Sequence, residues 1–149
     1  MSVQSRPGRA PGVRGSGMAL RILTAAALFI DAGVHVHLAP GYQAGNSAGM
    51  GQGTLFLLES AAAVLAGLYV LLRGSRAAYA VAFAVAFSAF VAVVLYRYVD
   101  IPAFGPFPAM YDPVWFFEKT ASAVAEGAGA VLAAVGFVRT GRRAPRQPG

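Results

Sequence analysis

Four apolar runs, each about as long as a bilayer core is thick, dominate this chain. They cover residues 18–39, 54–72, 77–99 and 114–138. A helix needs ~20 mostly apolar residues to cross the hydrocarbon, and only helices or closed barrels satisfy their backbone groups there. The composition agrees. Of 149 residues, 57% are hydrophobic and 12% charged, whereas a soluble domain is roughly a quarter charged. The fold class expected is all-α: an integral membrane four-helix bundle with one transmembrane domain over residues 18–138. Residues 1–17 and 139–149 are rich in Arg, Gly and Pro without an apolar period. They read as disordered basic tails. The chain has no cysteine, which excludes thiolate chemistry, thiolate metal sites and iron–sulfur clusters.

The start of the chain also invites comparison with a signal peptide, because basic residues precede the run 22–30. The stretch that follows fits poorly. It carries Asp31, His35 and His37, lacks a clean small-x-small site, and places Pro40 after Ala39. A retained first helix is expected.

Charge sets the orientation. The net charge is +6, but the arginines lie at the ends of apolar runs rather than along one face or a nucleic-acid motif, so no nucleic acid is expected as a partner. Arg6, Arg9, Arg14 and Arg21 precede or open the first run. Arg73 and Arg76 separate the second from the third, and Arg139, Arg142, Arg143 and Arg146 follow the fourth. The two other connections contain no Lys or Arg. The positive-inside rule then puts both termini in the cytoplasm and two loops outside, with membrane lipids as partners.

Small residues recur where helices can approach closely. Ala63 and Gly67 share a stripe on the second helix, Ala80, Ala84 and Ser88 on the third, and Ala125, Gly129 and Ala133 on the fourth. Phe83, Phe87, Phe90 and Val94 lie on another face of the third, which is expected to meet lipid.

Ionisable residues separate by side. Ten of the twelve basic residues fall on the cytoplasmic side, the exceptions being Arg97 and Lys119, whereas all six acids and both histidines fall outside or near mid-membrane. A charge inside the bilayer costs ~2.5–3.5 kcal/mol on insertion scales, so Asp31, Glu59, Glu118 and Glu126 need partners or a wet cavity. Asp31 and His35 are four apart and share a helix face, as do Lys119, Ser122 and Glu126. Arg97 can reach Asp100 or a neighbouring carboxylate. Asp31, His35, Glu59, Arg97, Glu118, Lys119 and Glu126 are therefore candidates for an outward-facing ligand or proton site, against a network of neutralising pairs that only locks the bundle. His35 with Asp31 and Glu59 is the metal candidate, a donor set suited to zinc, iron or manganese. His35 and His37 point ~200° apart on a continuous helix and cannot share an ion. No catalytic motif is present. Tyr96, Tyr98, Tyr111 and Trp115 read as an interfacial aromatic belt.

The two hairpins resemble each other. Leu55-Phe56-Leu57-Leu58-Glu59 opens one returning helix and Val114-Trp115-Phe116-Phe117-Glu118 the other, which aligns Glu59 with Glu118 and points to a tandem hairpin repeat.

The four-helix plan resembles the DoxX-like family of small bacterial inner-membrane proteins. Glu59, Gly67, Leu71-Leu72, Arg73 and Ala77-Ala78 carry the resemblance. It implies the bacterial plasma membrane and a non-catalytic accessory subunit beside a quinone-dependent redox partner. The polar residues themselves leave two other readings: a small-ligand, metal or proton site protein, or a membrane enzyme acting on a lipid or quinone. The sequence does not name a cofactor; a quinone or a divalent metal is compatible with these readings, as is a protein partner or a second copy of the chain.

Overall fold

The computed structural model describes residues 12–43 and 50–142, with side chains from residue 17 onward. Four α-helices account for most of it: α1 (Gly12–Leu38), α2 (Gln52–Arg73), α3 (Arg76–Tyr98) and α4 (Phe117–Gly141), with a 3₁₀ turn at Ala39–Tyr42. All four are long and apolar enough to cross a membrane. Each helix lies against the next, and α4 closes back onto α1, while α1 and α3 barely touch across the diagonal. This is an up-and-down bundle, and the described chain enters and leaves at one end of it.

Bounds depart from the apolar runs by three residues or more at three places: the start of α1 and both ends of α4. Helix α1 begins at Gly12 rather than at residue 18. Pro11 precedes it in sequence, and a start just after proline forfeits no intrahelical hydrogen bond. The expected tails, 1–17 and 139–149, are thus helical over 12–17 and 139–141, where α1 starts early and α4 runs on to Gly141; residues 1–11 and 143–149, and the Gly-rich segment 44–49, lie outside the described residues. Helix α4 begins at Phe117, not at Val114. Asp112-Pro113 would make a good helix start, but Asp112 is engaged elsewhere. The chain stays extended through Phe116, at φ −130° and ψ 171°.

The core is made of small residues. Ala63, Ala66, Ala82, Ala86 and Ala133 are buried together with Leu28, Val70 and Tyr79. The stripe Ala125, Gly129 and Ala133 on α4 is buried as expected, as are Ala63 and Gly67 on α2. On α3 the expectation fails. Ala84 and Ser88 are exposed and Ala80 is half-buried, while Ala78, Ala82, Ala86 and Ala89 face the bundle. Both faces of α3 carry small residues, so size alone does not select one. Phe83 and Phe87 do face outward, stacked at 5.2 Å, but Phe90 is half-buried beside Gly127. Gly136 is required by a close approach: a Cβ there would stand 2.2 Å from the ring of Tyr79.

The turn between α2 and α3 is two residues long. Gly74 ends α2 in the left-handed conformation (φ 51°), and the Ser75 hydroxyl accepts from Ala78 N to cap α3. The α3–α4 connection is a miniature hairpin. Ile101 pairs with Met110 and Phe104 with Phe107. It docks on the first residue of α2, where Gln52 Nε2 donates to Ala109 O at 2.7 Å, and on the α1–α2 connection, where Met50 N donates to Pro106 O at 3.1 Å.

Candidate ligand and metal site

At the end of the bundle that carries the long connections, residues of α2, α3 and the hairpin line one hollow. It is a cavity of about 570 Å³. Its upper wall is aromatic: Phe56, Phe104, Phe107, Tyr111 and Phe116. Its α3 wall is Ala89, Ala92, Val93 and Tyr96. Polar groups enter from α1, α2 and α4, as His35, Glu59, Ser122 and Glu126.

Helical spacing builds the polar part. Asp31 and His35 lie one turn apart on α1, and Ser122 and Glu126 one turn apart on the facing α4. Along the axes, Asp31 is about 10 Å from the end of α1 and Glu126 about 14 Å from the start of α4, which brings them level. Asp31 and Glu126 are 1% and 2% exposed. His35 Nδ1 lies 2.9 Å from Asp31 Oδ1 and 3.1 Å from the Asp31 carbonyl. His35 Nε2 lies 4.0 Å from Glu126 Oε1. The Ser122 hydroxyl is 2.7 Å from Asp31 Oδ1 and 2.9 Å from Glu126 Oε1.

This geometry leaves a shortage of donors. A hydroxyl has one proton and donates to one carboxylate at a time. A neutral imidazole adds one N–H. Four carboxylate oxygens compete for them. Asp31 Oδ2 and Glu126 Oε2 are buried with no hydrogen-bond partner among the described residues, and so is Glu59 Oε1.

The basic residues do not make up the deficit. Lys119 pairs with Asp112. Its ammonium donates to the Asp112 carbonyl and lies 3.2 Å from Asp112 Oδ2, and it sits over the Trp115 ring at 5.6 Å. Tyr42 OH donates to the same carboxylate oxygen at 3.1 Å. Lys119, Asp112 and Tyr42 thus latch the base of the hairpin to α4 and to the end of α1. Arg97 forms no ion pair among the described residues, contrary to the expected pairing with Asp100 or a neighbouring carboxylate. Its guanidinium lies over the Tyr98 ring at 5.1 Å, outside the cavity lining. Glu118 is also outside the lining. It occupies the first turn of α4, where the helix dipole favours a negative charge. The aligned Glu59 lies deeper in α2 and lines the cavity. The two glutamates occupy different settings.

The structure thus gathers Asp31, His35 and Glu126, with Glu59 and Lys119 at the same cavity, and leaves Arg97 and Glu118 apart. The third partner of the metal candidate changes. The donor atoms that lie within 4.8 Å of one another belong to Asp31, His35 and Glu126, not to Glu59. His37 is exposed. The latch pair Tyr42–Asp112 and the hairpin's cavity-facing aromatics Phe104 and Phe107 were missed by sequence reasoning. Asp112, an acid seven residues before Lys119 in the sequence, was the one available signal.

No family model, curated protein or solved structure matches the chain. The resemblance to DoxX-like proteins rests on the sequence features alone.

Proposed function

We propose that this chain is a multi-pass protein of the bacterial plasma membrane that binds a small amphiphile with a planar polar head, of the quinone class, in the loop-capped cavity. One observation carries the reading: a cavity with an aromatic upper wall also presents imidazole, hydroxyl and carboxylate groups. Ligand sites commonly combine apolar walls with a few placed polar groups. Flat rings stack on aromatic faces, each such pair contributing ~0.5–1.5 kcal/mol beyond burial. The Tyr96 hydroxyl, at the α3 wall, is a donor that a quinone carbonyl can accept from.

The charge asymmetry of the connections supports cytoplasmic termini and a cavity in the outer leaflet. If the DoxX-like resemblance extends to this chain, the ligand is shared with a redox partner, and the role is that of an accessory subunit. The alternatives, a proton site or an enzyme acting on the bound amphiphile, use the same cavity.

Trp115, the one tryptophan, adjoins Phe116 of the cavity wall and reports occupancy. Menadione titrated into the detergent-purified protein should quench Trp115 fluorescence saturably. Phe56→Ala should weaken binding by about three- to tenfold, because Phe56 also packs on His35 at 5.1 Å and on Tyr42 at 5.0 Å. Quenching that rises linearly and equally in both proteins would refute the proposal and favour an accessory subunit acting by contact alone.

A further inference from the structure

We propose that Asp31, His35 and Glu126 bind a divalent transition-metal ion at the wall of the cavity. The site does not depend on the amphiphile reading.

The first argument is charge. Asp31 and Glu126 are almost fully buried, converge on the same Ser122 hydroxyl, and have no Lys or Arg ion-paired to them among the described residues. Lys119 is paired with Asp112, and Arg97, whose buried Nε has no hydrogen-bond partner among the described residues, lies over the Tyr98 ring outside the cavity lining. With His35 neutral, a divalent ion balances the two carboxylates.

The second argument is the pair of orphaned oxygens. Asp31 Oδ2 and Glu126 Oε2 are both buried without a hydrogen-bond partner among the described residues. Asp31, His35 and Glu126 each offer a donor atom within 4.8 Å of the others', and both carboxylates of that set keep an oxygen that nothing described satisfies. A buried water or a neutral polar ligand would satisfy the hydrogen bonds while leaving the charge.

The third argument is the histidine. Its Nδ1 is held 3.1 Å from the Asp31 carbonyl and 2.9 Å from the Asp31 carboxylate. That contact fixes the ring and leaves Nε2 facing Glu126 at 4.0 Å. A metal-ligating histidine usually donates its other ring N–H to a carbonyl or carboxylate in this manner. One nitrogen and two carboxylates suit zinc, manganese or iron(II) rather than copper(I) or a hard magnesium site. His35 and Glu126 line the cavity whereas Asp31 lies behind them, so the open coordination positions face the cavity.

Co²⁺ is the probe, because its visible absorption reports nitrogen and carboxylate coordination. The full chain, purified in mild detergent and stripped with chelator, is titrated with Co²⁺ in the absence of any quinone. The expected result is saturation at a single equivalent per chain. His35→Ala and Glu126→Gln should bind at least about tenfold more weakly. Glu118→Gln, outside the cavity, should bind like the wild type. A folded wild type that takes up no Co²⁺, or a His35→Ala protein that binds as tightly with the same spectrum, overturns the assignment. Protons alone would then balance the cluster. The wild-type titration decides even if a variant fails to fold, and menadione binding is measured separately, so the two readings stand or fall independently.

Discussion

Ser122 shows how much one atom decides here. Its hydroxyl proton lies between two buried carboxylates on different helices and can serve one of them at a time. Beyond the His35 imidazole beside Asp31, the alanine-rich core adds no further donor to the cluster, and Asp31 Oδ2 and Glu126 Oε2 stay without a partner among the described residues. Lys119 acts in the opposite way, because its partners are complete. Lys119→Met keeps the stem and removes the charge. The pair it breaks is a third exposed at Asp112, so the expected loss is about 1–2 kcal/mol, below that of a fully buried pair. Thermal unfolding followed by helicity measures the loss, and hydrogen exchange locates it. Amides of residues 101–110 should exchange faster while those of α1 and α4 keep their protection. Unchanged exchange in the hairpin would show that the latch lies elsewhere. Sequence reasoning placed Asp31 with His35 and Ser122 with Glu126, because i,i+4 spacing determines a shared face. It could not place the Lys119 contact, which depends on how a proline-rich connection folds back.

Among the helices, α3 is the informative one. Its length and limits were legible, because hydropathy alone marks a helix bounded by Arg76 and Asp100. Its inner face was not. Ala80, Ala84 and Ser88 make as smooth a stripe as Ala78, Ala82 and Ala86, and the structure buries the second set. Substitution separates the two faces. Ala82→Leu should cost ~1–3 kcal/mol by overpacking, whereas Ala84→Leu should stay within about 0.5 kcal/mol. Gly136→Ala on the facing helix belongs with the first. Its methyl would meet the Tyr79 ring at 2.2 Å, with an expected cost of ~1–3 kcal/mol. Denaturant titration in detergent checks all three, and equal tolerance at Ala82 and Ala84 would contradict the packing of α3 on α4. The start of α4 was misread for a related reason. An aromatic, β-branched run reads as the opening turn of a helix until Asp112, its natural cap, is taken by Lys119 and Tyr42.

At the scale of the molecule, orientation is the property open to direct test. Because the chain has no cysteine, single cysteines report cleanly. Ala103→Cys, exposed in the hairpin, should react with a membrane-impermeant maleimide added to intact cells. Ala77→Cys, exposed at the opposite end, should react only after permeabilisation. The reverse pattern would place the cavity in the inner leaflet and contradict the positive-inside reading. The bundle's ring order has a consequence for biogenesis. Asp31 and His35 belong to the first helix, Ser122 and Glu126 to the last, and the hydrogen bond joining them spans 91 positions. At ~5–20 residues per second of synthesis, the ribosome adds Ser122 about 5–20 s after Asp31. For that interval Asp31 has only His35, on its own helix, as a partner, and the cluster closes only when the final helix is laid against it.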